Sequence, residues 1–167
     1  MRFACLLALS LALPGLARAQ DTTIIFANDD PVMNRAIETA ISTLPVFLTH
    51  AGAGTGLSAA GYSVKVAVKV EHPEMEQEII WVSPFTLTPD GQGRGKLAND
   101  PVAMPGMEIG DTLTFTRDQI KDWGFKGPDG HLYGHYTTRV LIPQLDAESA
   151  AYITDLLSKE PKPADWR

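Results

Sequence analysis

The side chains with the widest chemical repertoire gather in the last third of the chain. Asp122 stands beside Trp123, and His135, Tyr136 and Arg139 follow downstream, which together make the best candidate for a polar pocket. An aspartate near an arginine stays ionised and makes a structural pair, while an acid enclosed by apolar groups is tuned for proton transfer. Asp122, His135 and Arg139 are the candidate catalytic residues, and Trp81, Asp122, Trp123, Tyr136 and Arg139 the candidate binding residues. Pairing is the commoner outcome, so an Asp122 to Arg139 contact is expected.

Other constellations point away from familiar chemistry. His131 and His135 invite a metal, but on a strand four residues at about 3.3 Å each hold their backbones about 13 Å apart. Gly134 and the Tyr-Thr-Thr run oppose the helix that would bring them together, so neither a metal site nor a cofactor is expected. Glu71, Glu74, Glu76 and Glu78 with His72 form a dense acidic turn that lacks the Asp/Asn-Gly grammar of a calcium loop. It is expected to be a solvated hairpin end that protects a sheet edge. No G-x-S-x-G sequence frames a nucleophile, and no carboxylate pair is marked by position. The run AGAGTGLSAAG at Ala51 to Gly61 follows a helix, opens a strand and lacks the Gly-Lys-Ser/Thr ending of a phosphate loop.

The N-terminus carries the pattern of an export signal. Arg2 precedes an apolar run from Phe3 to Leu13, Pro14 and Gly15 end it, and Ala17-Arg18-Ala19 offers small residues where a signal peptidase reads. Cleavage after Ala19 leaves 148 residues, the usual size of one domain, and takes the single cysteine, Cys5, with the leader. The exported chain then has no disulfide, thiol nucleophile or thiolate metal site. Loss of Arg2 and Arg18 moves the net charge from −6 to −8, which disfavours binding to nucleic acid. No later stretch is long and apolar enough to span a membrane, so a periplasmic location is expected.

The spacing of apolar residues sets out the elements that must position these groups. Asp30-Pro31 caps a helix over residues 31 to 44, with Met33, Ile37, Ile41 and Leu44 on one stripe and Pro45 ending or kinking it. Ala51 to Gly61 is expected to be a mobile loop with little to bury. Tyr62 to Val70 alternates as a strand with one buried face, Glu78 to Leu87 returns, and Gly93 to Ala98 is a short third strand. Asp111 to Thr116 is a fourth, after which Thr116 and Gln119 form a capping box for a helical turn carrying Ile120 and Trp123. His131 to Ile142 is the expected fifth strand, and Asp146 caps a closing helix with Ala150, Ile153, Leu156 and Leu157 on its stripe. The fold class is α+β: a curved antiparallel sheet of about five strands with an N-terminal and a C-terminal helix packed on it. Residues 20–158 form one domain and 159–167 an extended tail, in which Trp166 either docks back on its own fold or anchors a partner. Trp81 and Trp123 are expected in the core.

Across this frame the chain resembles the YegJ-like family of small bacterial proteins, whose shared domain has no established function. The resemblance rests on Asp29-Asp30 through Met33-Asn34, Thr43 to Phe47, Glu78 with Trp81-Val82, Gly95 to Pro101, Gly110-Asp111, Ile120 to Trp123 and Gly134 to Arg139. A histidine often follows the family's glutamate, where this chain has Ile79. The resemblance implies a bacterial source and hence a periplasmic location, and implies no activity.

Taken together, the sequence favours a non-enzymatic acidic module that binds another protein or a small ligand, its net charge drawing it to basic partners. The alternatives are a hydrolase of unrecognised class built on Asp122, His135 and Arg139 near Trp123, and an inhibitor or immunity-type protein whose acidic turn blocks a basic site.

Overall fold

The computed structural model of the chain describes residues 30–73 and 75–166, so the expected leader and Glu74 lie outside the described residues. The first helix, α1, runs from Pro31 to Ala51. The Asp30 carboxylate accepts from the backbone N–H groups of Val32 and Met33 at 2.8 and 3.1 Å, and Gly52, at φ 69°, closes the far end in the left-handed conformation. The expected stop at Leu44 is corrected by seven residues, since the helix continues through Pro45. Its buried stripe of Met33, Ala40, Leu44, Phe47 and Ala51 crosses the proline unbroken, and burial of Phe47 offsets the lost backbone hydrogen bond.

Six antiparallel strands follow: β1 (Tyr62–His72), β2 (Met75–Leu87), β3 (Gln92–Leu97), β4 (Thr112–Thr116), β5 (Ile120–Lys126) and β6 (Leu132–Gly134). They form an open sheet in the order β4-β3-β2-β1-β5-β6. The α+β class and the antiparallel sheet agree with expectation, with one strand more than counted. That strand is β5. The Gln119 carboxamide does accept from the Thr116 N–H at 2.8 Å, but it also donates to the Ala67 carbonyl of β1 at 3.0 Å. The turn therefore closes after Arg117–Gln119, and Ile120 and Trp123 enter a strand paired with β1 rather than a helix.

The expected strand His131 to Ile142 is likewise corrected. Only Leu132–Gly134 pairs with β5, and Tyr136–Leu141 is a helix, α2. Gly134 at φ 76° and His135 at φ 52° are consecutive left-handed residues, a geometry that no strand contains. A Cβ at Gly134 would collide with the Trp123 carbonyl, so the position requires glycine on two counts. A last helix, α3 (Ala147–Leu156), is capped by Asp146 as expected and buries none of its residues fully.

The core lies between α1 and one face of the sheet. Phe47 stacks on Trp123 at 4.7 Å, Tyr62 on Phe125 at 4.9 Å and Phe125 on Trp166 at 4.8 Å. Trp166 is 6% exposed, so the C-terminal segment docks back on its own fold. The glycine-rich segment also buries more than expected. Ala51, Ala53 and Ser58 are enclosed, and Ser58 N–H donates to the Phe85 carbonyl while its hydroxyl accepts from Phe85 N–H.

Phe47→Ala is expected to cost about 3–5 kcal/mol in urea unfolding, because it empties the centre of the aromatic stack. Ile41→Ala, on the exposed side of the same helix, is expected to change stability by about 0.5 kcal/mol or less.

Candidate functional site

Asp122 sits on β5 where the pairing with β1 slips by one residue, opposite Lys65. Its side chain is 0% exposed and turns toward the first turn of α2. One carboxylate oxygen accepts from the backbone N–H groups of Trp123 at 2.8 Å and Tyr136 at 3.2 Å. The other accepts from the Thr137 N–H at 2.8 Å and the Thr137 hydroxyl at 2.7 Å. The carboxylate thus caps α2 from a distant strand, a service that His135 in the capping position does not perform. Burial pushes the Asp122 pKa up, and the Thr137 hydroxyl and backbone donors oppose that shift.

The expected Asp122 to Arg139 ion pair is corrected. The Arg139 guanidinium instead donates to the Gly134 carbonyl at 3.0 Å, the Ser158 carbonyl at 2.9 Å and the Ser158 hydroxyl at 3.3 Å. It ties the end of β6 to the chain after α3. Tyr136 is buried against Trp123, and its hydroxyl meets that of Thr43 on α1 at 3.3 Å. The Trp123 indole donates to the Ala40 carbonyl at 3.0 Å. Four of the sequence-predicted residues therefore do converge on α2, where they hold elements together.

His135 folds over Gly124, whose missing side chain leaves room for the ring, and tilts against Trp81 at 4.7 Å. Burial and then the charges of Lys65 and Arg139 lower its pKa to about 4, so the imidazole is neutral at pH 7. His131 has a separate, exposed place beside Asp129 at 3.3 Å. Among the described residues no group of three or more His, Cys, Asp or Glu is arranged to hold a metal ion.

Glu78 was expected in the solvated acidic turn, and this is corrected. It is 3% exposed, and its two oxygens accept from the Val102 and Ala103 N–H groups at 2.6 and 2.8 Å, fastening the loop after β3 to the sheet. The signal lay in the alternation of β2, where Glu78 shares the inward parity of Ile80 and Val82.

The opposite face of the sheet has a different character. Register places Trp81 of β2 and Lys65 of β1 side by side, and the Lys65 ammonium lies 5.3 Å from the Trp81 ring centroid while donating to the Thr137 hydroxyl at 3.2 Å. Trp81 is thus half-buried on this face rather than in the core. Lys69 of β1, Ile79 of β2 and Arg94 and Lys96 of β3 extend the same face and are exposed. Sequence reasoning had not singled out these four.

The family of uncharacterized proteins conserved in bacteria, DUF2314, matches residues 30–154. The chain belongs to this family. The DUF2314 match spans α1, the whole sheet and α2, and so covers both the Asp122 cap and the basic face. No curated protein and no solved structure matches the chain. Among the described residues no helix is long and apolar enough to cross a membrane.

Asp122→Asn is expected to cost about 2–4 kcal/mol in urea unfolding, because an amide N–H₂ then faces backbone donors. The acid response has two opposed parts. Unfolded His135 takes its proton near pH 6.5 and the folded residue only near 4, so its contribution to stability falls as pH drops through that window. The raised Asp122 carboxyl gives the opposite sign, holding its proton in the fold to higher pH than in the unfolded chain. His135→Asn, which tolerates the left-handed backbone, should flatten the loss of stability between pH 6.5 and 4, and Asp122→Asn should steepen it.

Proposed function

We propose that this DUF2314 protein is an exported, periplasmic, YegJ-like module that acts by binding and not by catalysis, and that the basic face of the sheet is its contact surface. The observation that carries this reading is the engagement of two of the candidate catalytic groups, Asp122 and Arg139. All of Asp122's acceptor capacity that the fold uses goes to four donors within a fully enclosed site, and Arg139 is spent on Gly134 and Ser158. A general acid or base must reach its substrate within hydrogen-bond distance, and an enclosed cap does not. Ile79, at 41% exposure, instead gives the open face an apolar point beside Lys65 and Lys69 of β1, the composition of a contact patch.

Three outcomes are expected. N-terminal sequencing of the protein from the periplasmic fraction begins at Gln20. Rates on chromogenic ester, phosphate and glycoside substrates equal those of a well-folded Asp122→Asn or His135→Asn variant, and a rate lost in either variant would overturn the non-enzymatic reading. A photo-crosslinking residue at Ile79 gives adducts in intact cells whereas one at Glu148 of α3 does not, and silence at Ile79 would remove the basic face as the contact surface.

A further inference from the structure

The distribution of charge over the sheet narrows the partner's chemistry. The chain is acidic as a whole, with 20 Asp and Glu against 14 Lys and Arg. Its acids concentrate in loops and on helices, as with exposed Asp90, Asp100 and Glu108 in the connections and Glu38 and Glu148 on helices. On the open face Lys65 and Lys69 of β1 lie level with Trp81 and Gln77 of β2 and flank Ile79 from one side, whereas Arg94 of β3 lies level with Thr86 and Lys96 beside Ser83-Pro84, so the cations run obliquely across the sheet. Among the described residues neither Lys69, Arg94 nor Lys96 lies within ion-pair distance of a carboxylate. Lys69 stands opposite Gln77, and Arg94 lies between Thr86 and Thr114.

We propose that this face docks an extended, acidic segment of a partner protein. The inference rests on the reading above that the basic face is the contact surface, and adds the chemistry of what it contacts. Neighbouring strands lie about 4.8 Å apart, so the cations of β1 and β3 are separated by about 10 Å across β2 and are offset along it, Lys69 level with Gln77 and Arg94 with Thr86. Arg94 and Lys96, two residues apart, repeat at about 7 Å along the strand, the interval at which an extended peptide presents side chains on one side. A segment with an acidic residue at every second position therefore turns its carboxylates toward Arg94 and Lys96 and keeps its small apolar residues on the other side. A lipid surface does not fit as well, because a plane wider than the patch meets exposed Glu71 at the hairpin end. Single-stranded nucleic acid lacks its stacking platform, since the Trp81 ring is already covered by Lys65 and His135.

The test is fluorescence anisotropy of a labelled synthetic peptide of alternating Glu and Val, titrated with the purified protein at low ionic strength. The expected result is saturable binding that weakens about tenfold or more on the double substitution Arg94→Glu and Lys96→Glu, and similarly on raising salt. Both residues are exposed, so the variant is expected to fold, which its urea midpoint verifies. Binding that is indifferent to the double substitution, no binding at millimolar protein, or tighter binding to oligothymidylate or to phosphatidylglycerol vesicles would each overturn the proposal. Should the peptide fail while crosslinks from Ile79 persist, the acidic chemistry falls and the contact surface stands. Should both fail, the contact surface falls with it.

Discussion

A single buried carboxylate decides how the second half of this fold is put together. Asp122 belongs to β5, yet the donors that it satisfies are mostly those of α2, a helix of six residues that contains two threonines and a valine. Such a segment has poor intrinsic helical preference and is too short to persist on its own. It forms because its first N–H groups find acceptors already held in place at the edge of the sheet. Once α2 is fixed, Tyr136 meets Trp123 and Thr43, His135 swings over Gly124, and the open flank of β5 is closed where β6 ends.

The energetics of that arrangement explain why Asp122 is enclosed rather than exposed. Desolvation opposes its ionised form, and four donors at 2.7 to 3.2 Å return part of that cost. Water at the site would compete for the same donors and loosen the helix. A group placed for chemistry needs the reverse, an unspent lone pair facing a space that substrate enters. Glu78 repeats the same device on the inner face of β2, where its two oxygens fasten Val102 and Ala103. An acid read as a pocket group and an acid read as part of a solvated turn are thus both internal fasteners.

What could be read from the chain depended on whether the controlling interaction was local. The caps at Asp30 and Asp146, the alternation of β1 and the antiparallel order all follow from contacts within a few residues, and each is present. The errors occur where a distant partner outvotes the local pattern. The capping box at Thr116 did form, but Gln119 also reached Ala67 and drew the chain into β5. The run His131 to Ile142 carried β-branched residues suited to a strand, and Asp122 made part of it a helix. At Pro45 the local rule for ending a helix lost to the burial of Phe47 and Ala51 beyond it. Of the candidate site, the convergence of Asp122, Trp123, Tyr136 and Arg139 was legible, and their roles were not, because a role depends on which atoms are already satisfied.

The same logic separates the two faces of the sheet. Asp122, Tyr136 and Arg139 around α2 and Glu78 on the inner face are engaged within the fold, so substituting them changes stability first and any interaction only as a consequence. On the open face Arg94 and Lys69 make no ion pair with a described carboxylate, and Ile79 keeps two-fifths of its surface in water. Burying that apolar surface and pairing those cations would each be favourable, and the isolated chain does neither. An acidic protein gains little for its own fold from exposed Lys69 and Arg94, since exposed pairs contribute little and these two make no ion pair with a described carboxylate. Contact with a group of opposite charge would draw on cations and apolar surface that the chain by itself leaves in water.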